Sequence, residues 1–219
     1  MLSIVIPIYN EAQALPKFLT ALIKAVENDF PSFSELVEII CVDNGSTDRS
    51  AEIIKASQAN YIYEPKRGYG HAIKAGLRYA NGDYICLIDA DMTYDPKDIK
   101  RLYEVAKQGK FALANRYGYL TDNIPKLNFW LGHPILRFFL RRKGIKTREV
   151  SAGFCCFPNI LRLFSEGMEF SSELLVKASR NMPVEEVPIW FHERVGKSKL
   201  NRVKDLIRHL KYLCGKNAT

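Results

Sequence analysis

Short apolar runs alternate with stretches of helical period over the first 115 residues. Leu2–Ile8 (LSIVIPI) and Val37–Val42 (VEIICV) are rich in β-branched residues, the pattern of strands buried on both faces. Between them Phe18, Leu19, Leu22, Ile23 and Val26 recur at helical spacing, which predicts a helix around 17–26. The turn signal Asn44-Gly45-Ser46 closes the second strand, and Asp48 is placed to cap a second helix. A short strand at 61–63, a helix at 70–79 and a strand at 84–88 follow. Pro96 suits the first turn of a helix reaching about 108, and Phe111–Ala114 reads as a further strand. Such repetition predicts an α/β protein with a mostly parallel sheet and helices on both faces.

Beyond 115 the pattern loosens. Leu127–Leu140 is aromatic and apolar but interrupted by His133, Pro134 and Arg137. A strand is expected at 154–157, a helix at 171–180, and an edge strand at 184–190, bracketed by Pro183 and interrupted by Pro188. Leu200, Val203, Leu206, Ile207, Leu210 and Leu213 then fall on one face of a basic amphipathic helix. We expect one domain over 1–219: a nucleotide-binding half at 1–115, an acceptor half at 116–199 and a basic tail at 200–219.

In such a sheet, ligands gather at the carboxyl ends of the strands. Three polar clusters sit there: Tyr9-Asn10-Glu11, Asp43-Asn44-Gly45-Ser46 and Asp89-Ala90-Asp91. Asp89 and Asp91 are one residue apart where an apolar strand ends. Two like charges so close repel unless water, a proton or a cation separates them. A hard divalent ion, Mg²⁺ or Mn²⁺, shared with substrate phosphates would resolve the conflict, whereas solvated turn aspartates are the plain alternative. Tyr9 offers an aromatic face and Glu11 a carboxylate to a nucleoside. Lys66-Arg67-Gly68 precedes a helix and suits an anion. Arg116 follows a strand directly and is expected to face the same crevice as Asp91. Glu173, on a helix, is either an acid–base group or an ordinary helix carboxylate, and the lone His192 is expected in the core or at the rim.

The net charge of +8 is concentrated. Residues 137–148 carry six basic side chains and no acid, and 194–216 carry eight against Asp205. This favours anionic partners. No run of about 18 apolar residues occurs, the first residues read as a strand rather than a leader, and the five cysteines show no zinc spacing. A reducing, cytoplasmic setting is expected, with attachment to an anionic membrane surface through the basic segments. No nucleic-acid-binding motif is present, which weighs against a non-catalytic nucleotide- or RNA-binding protein.

Taken in order, IVIPIYNEAQALP, EIICVDNGSTD, the long segment ending in DADMTYDP, ANRYG, VSAGFCCFP, FSSELLVKA and EEVPIWFHERVGKSKL resemble family 2 glycosyltransferases of the GT-A fold. Within them the chain is most similar to the polyprenyl-phosphate hexosyltransferases, the group of the dolichol-phosphate mannose synthases. The resemblance implies a Rossmann-like sheet and an inverting, metal-dependent transfer of a hexose. The donor would be GDP-mannose or a UDP-hexose, and the acceptor a polyprenyl phosphate. A family 2 enzyme using a soluble hydroxyl acceptor, with Glu173 as base, is the alternative. The resemblance further implies that Pro7, Tyr9, Glu11, Val42, Asp43 and Asn44 surround the nucleotide. Asp89, Ala90 and Asp91 would meet the sugar diphosphate, and Thr93 would complete the metal shell. Arg116, Arg194 and Lys199 would hold phosphates.

Overall fold

The computed structural model describes residues 1–30, 36–119, 132–199 and 201–215. Its elements run β1 (Leu2–Ile8), α1 (Leu15–Asp29), β2 (Val37–Asp43), α2 (Ser50–Lys55), β3 (Asn60–Tyr63), α3 (Tyr69–Tyr79) and β4 (Tyr84–Ile88). A 3₁₀ turn at Pro96–Asp98 leads into α4 (Ile99–Ala106). Then come β5 (Phe111–Asn115), α5 (His133–Arg142), β6 (Phe154–Pro158), α6 (Phe170–Asn181), β7 (Val184–Pro188) and α7 (Arg202–Cys214).

All seven strands form one sheet in the order β3-β2-β1-β4-β6-β5-β7. Every pairing is parallel except those of β6, which runs antiparallel to β4 and β5. Strands drawn from 1–115 and from beyond it thus share one sheet. Pro7 is tolerated in a central strand because β4 pairs with β1 only from Leu2 to Val5, so no neighbour calls on the missing N–H. As expected, β7 lies at the edge.

The sheet is apolar on both faces. Ile4, Ile6 and Ile8 point into a cluster with Phe18 and Leu22 of α1 and Leu102 of α4, while Val5 points into a second with Ile73 of α3 and Leu174 of α6. Gly76 lets α3 lie close on the sheet: a Cβ there would come within 2.3 Å of Val5 Cγ1.

Several predicted details change. The aromatic run at 127–140 lies outside the described residues up to 131, and from 133 it is the helix α5, with His133 and Pro134 in its first turn. Asp48 sits two residues ahead of α2 rather than at its cap, accepting from the Ser50 and Ala12 amides at 2.9 and 3.0 Å. The last helix does not turn one apolar face to one environment. Leu206, Leu210 and Leu213 pack on the second core cluster, whereas Val203 and Ile207 are exposed by 70% and 48%.

Candidate active site

The three strand ends converge. The Asn10 amide donates to Ser46 Oγ at 3.0 Å, the Thr47 amide to Asn10 Oδ1 at 2.7 Å, and the Glu11 amide to Ser50 Oγ at 2.9 Å. These bonds tie the turn after β1 to the turn after β2. Asn10 adopts a left-handed backbone, φ 54°, to make the corner. Above the junction opens a cavity of about 570 Å³, lined by Pro7, Tyr9, Glu11, Asn44, Asp89, Ala90, Asp91, Thr93, Arg116, Arg194 and Lys199, among others.

Asp89 and Asp91 share this cavity because β4 stops at Ile88 and the chain bends, with Met92 in the left-handed region at φ 66°. Asp89 Oδ1 accepts from the Tyr69 hydroxyl at 3.0 Å. Its Oδ2 lies against Gly153, where a Cβ would stand only 2.5 Å away. Burial and the neighbouring Asp91 charge push the Asp89 carboxyl up to about 7, against the pull of Tyr69, Arg194 and Arg116. Asp91 is held from within its own turn, accepting at Oδ1 from the Thr93 amide at 3.0 Å and from the Thr93 hydroxyl.

The cations come from the segment after β7. Arg194 spans two carboxylates, Nη1 to Asp91 Oδ2 and Nη2 to Glu11 Oε1. Lys199 Nζ meets Glu11 Oε1 at 2.7 Å. Backbone bonds seat this segment: the His192 amide donates to Thr93 O at 2.9 Å and the Val195 amide to Asp91 O at 3.0 Å. Residues expected in the acceptor half therefore reach the carboxylates of the half at 1–115.

Arg116 is partly buried and firmly engaged. Its Nε donates to Glu149 Oε2 at 2.7 Å and its Nη2 to the Tyr94 hydroxyl at 3.0 Å, and the guanidinium lies 4.8 Å over the Phe191 ring. Burial alone would disfavour its charge, but Glu149 more than compensates and holds it firmly protonated. Glu149 in turn stays below the usual carboxylate range despite its burial, chiefly through Arg116. Arg116 thus presents charge to the cavity from a fixed position.

Three expected site residues lie away from the cavity. Glu173 does not line the cavity: its carboxylate accepts from the Phe164 and Ser165 amides at 2.9 and 2.7 Å and pairs with Lys177 at 2.8 Å. Those partners hold it below its ordinary value against the opposing effect of burial, and it pins the loop at 164–165 outside the cavity. Val42 is fully buried in the core. Asp43 turns away from the cavity to accept from the Ser46 amide at 2.8 Å and the Tyr61 hydroxyl at 3.1 Å. Thr93 lines the cavity and directs its hydroxyl at Asp91, orienting that carboxylate.

Arg67 and Asn44, both expected near the site, line the cavity, together with a wall from α7 that the sequence signalled only by its charge. Arg67 lies 4.5 Å over the Tyr9 ring and donates to Gly45 O at 3.1 Å. Asn44 shapes its loop, donating to Glu64 O and Lys66 O at 3.0 and 2.7 Å and accepting from the Gly68 amide at 2.8 Å. Lys204, Asp205 and Arg208 of α7 form one wall. The basic run announced their charge, and only the packing of α7 shows where it points.

Among the described residues no three His, Cys, Asp or Glu side chains cluster to hold a metal alone. The donor set nevertheless fits Mg²⁺ or Mn²⁺, which commonly take one or two carboxylates and leave the remaining positions to water and substrate phosphates. Asp89 and Asp91 are such a pair, their repulsion calls for a cation, and Arg194 already brings one to Asp91.

A mostly parallel sheet with a carboxylate pair at the end of its fourth strand, met by a basic segment after β7, has the layout of the GT-A fold. Residues 3–166 match the model of glycosyl transferase family 2, and the chain belongs to that family. It is 30% identical over 222 residues to the low-salt glycan biosynthesis hexosyltransferase Agl6 of Haloferax volcanii, covering 97% of this chain and 52% of that protein. It is 39% identical over 129 residues to the undecaprenyl-phosphate 4-deoxy-4-formamido-L-arabinose transferase of Photorhabdus laumondii, covering 56% of this chain and 38% of that one. The chain thus spans about half the length of the first relative and little over a third of the second. Glucosyl-3-phosphoglycerate synthase from Mycobacterium tuberculosis, solved with Mn²⁺, UDP and phosphoglyceric acid, shares the fold. Its TM-score is 0.77 at 19% identity, over 98% of this chain and 78% of that one. The same enzyme with Mg²⁺ and UDP gives 0.75. No helix of the described residues is long and apolar enough to cross a membrane.

Proposed function

We propose that the protein moves a hexose from a nucleoside-diphosphate sugar to a polyprenyl phosphate, with inversion, as a peripheral enzyme on the cytoplasmic face of a membrane. The observation that carries this reading is the cavity at the strand ends, where Asp89, Asp91 and Glu11 face Arg194 and Lys199. Tyr9 and Pro7 supply its apolar side for a nucleoside, and Glu11 is placed for ribose hydroxyls. Bound at Asp89 and Asp91, Mg²⁺ or Mn²⁺ would supply Lewis-acid stabilisation of the departing diphosphate. Arg194 and Lys199 exchange their carboxylate partners for phosphate oxygens, giving fixed positive charge where negative charge grows.

An acceptor phosphate is already anionic near neutral pH and attacks the anomeric carbon without a protein base. One displacement of this kind breaks the bond to the diphosphate as the new bond forms, inverting the centre. The position of Glu173 outside the cavity supports this acceptor over a hydroxyl, which would need a general base. The enzymes named for undecaprenyl phosphate among the relatives support the lipid class of acceptor.

The test offers UDP- and GDP-sugars with farnesyl phosphate or farnesol, with Mn²⁺ or Mg²⁺, and follows the sugar by mass spectrometry. Transfer to farnesyl phosphate with inverted linkage is expected. Transfer to hydroxyl acceptors alone would overturn the reading. Failure to bind anionic liposomes at moderate salt would remove the membrane part.

A further inference from the structure

The last helix is cut by its surroundings into three edges. Leu206, Leu210 and Leu213 anchor it on the core, and a buried bond of 2.7 Å between Ser172 Oγ and His209 Nδ1 fixes its rotation against α6. The Asn201 side chain caps its start, accepting from the Lys204 amide at 3.1 Å. With rotation and start both fixed, Lys204 and Arg208, one turn apart, face the cavity. Val203 and Ile207, about 100° around the helix from them, face solvent with 70% and 48% exposure.

The two cations are far less engaged than those on the donor side. Arg194 and Lys199 sit directly on Glu11 and Asp91. Arg208 Nη1 is 3.8 Å from Asp205 Oδ1, too long for a hydrogen bond, and Lys204 has no ion pair among the described residues. Asp205 and Glu169 are the carboxylates beside these cations, and neither Lys204 nor Arg208 forms a hydrogen bond or close ion pair with Glu169 among the described residues. An anion reaching it displaces no strong partner, and loses less than one that must first break the Arg194 pairs.

We infer that Lys204 and Arg208 form an acceptor-phosphate subsite, and that Val203 and Ile207 beside them carry the first isoprene units of the acceptor. The inference rests on the proposed function and names the residues that select its acceptor. The helix presents a charged edge inward and an apolar edge outward, the same order as a phosphate head on a hydrocarbon tail. A soluble phosphorylated acceptor would use the first edge and ignore the second.

The test compares Lys204→Ala, Arg208→Ala and Val203→Ser/Ile207→Ser with wild type, using farnesyl phosphate and a long-chain polyprenyl phosphate in detergent. Melting curves establish folding, and titration of UDP- and GDP-sugars establishes donor binding. Removing either cation should raise the acceptor KM about tenfold to hundredfold, leave donor affinity within about twofold, and be partly rescued by Arg208→Lys. The serine pair should raise the long-chain KM several-fold more than that of farnesyl phosphate. Acceptor KM values unmoved by the cation variants would overturn the subsite, as would donor affinity falling in parallel. Equal effects of the serine pair on both acceptors would overturn the tail edge. Should wild type glycosylate no prenyl phosphate, the proposed function fails by itself. Calorimetric binding of farnesyl phosphate then decides the subsite: lost in the Lys204→Ala/Arg208→Ala double variant it survives, unchanged it does not.

Discussion

Replacing Gly153 by alanine tests whether the placement of Asp89 governs turnover. The added Cβ would lie 2.5 Å from Asp89 Oδ2 and 3.2 Å from the Tyr94 hydroxyl. Ordinary contact begins near 3.4 Å, so the carboxylate must retreat by about 0.9 Å or the β6 entry must shift. Retreat is opposed at Oδ1 by the Tyr69 hydroxyl and at the backbone by the Asp89 amide, which donates to Gly153 O at 3.1 Å. Overpacking of this kind costs about 1–3 kcal/mol of stability, roughly 2–12 °C in Tm for a chain of this size. Misplacing a reacting group by about 1 Å costs about a hundredfold in rate. Gly118→Ala is the matched control. Its Cβ would meet Pro188 Cβ at 2.4 Å, a similar clash against β7 at a residue that does not line the cavity. Both variants should melt earlier, but only Gly153→Ala should lose kcat by about two orders of magnitude, measured by sugar release from the donor. If a folded Gly153→Ala keeps wild-type kcat, or if Gly118→Ala loses as much, the placement of Asp89 does not govern turnover.

Chelation should abolish transfer and either Mn²⁺ or Mg²⁺ should restore it, while Asp91→Ala should no longer respond to added metal; undiminished transfer in chelator would refute the assignment of the carboxylate pair. Glu173→Gln should leave kcat within about threefold but lower stability by about 1–3 kcal/mol through its backbone bonds, and a folded variant without activity would return Glu173 to the chemistry. His133 and His209 are both pushed down to about 4 by burial. Their folded values lie below the unfolded 6.5, so the stability they contribute is complete above about pH 6.5 and is lost as pH falls through about 4. Each is worth up to about 3 kcal/mol. Asp89, raised to about 7, acts in the opposite sense, its burden easing as pH falls below 7. Melting temperature of wild type and His209→Gln across this range should show a shallower acid decline in the variant, and parallel curves would count against it.

Much of this arrangement was legible in the chain because parallel-sheet physics is local. Runs such as LSIVIPI and VEIICV are apolar on both faces and announce central strands, and the polar residues that follow must fall on one side of the sheet. The carboxylate pair was readable for the same reason. Side-chain allegiance was not. Asp43 ends its strand much as Asp89 follows β4, yet Ser46 and Tyr61 claim it. Glu173 resembles any helix carboxylate until the loop at 164–165 is seen to rest on it. The position of β6, antiparallel between β4 and β5, depends on pairings across tens of residues that periodicity cannot report. The division of the last helix into buried, charged and apolar edges likewise required knowing what it packs against.

The grip of Arg194 and Lys199 on Glu11 and Asn10 joins positions 183 and 189 residues apart. Contacts so distant in sequence form late, both in refolding and on the ribosome. A nascent chain can build β1 to β4 and present Glu11, Asp89 and Asp91 as three uncompensated carboxylates in one hollow long before their cations are made. During that interval the sheet is held back by its own chemistry. The arrival of Arg194 and Lys199 offsets two of those three charges, so the step that completes the candidate site is also the one that relieves the half-made fold.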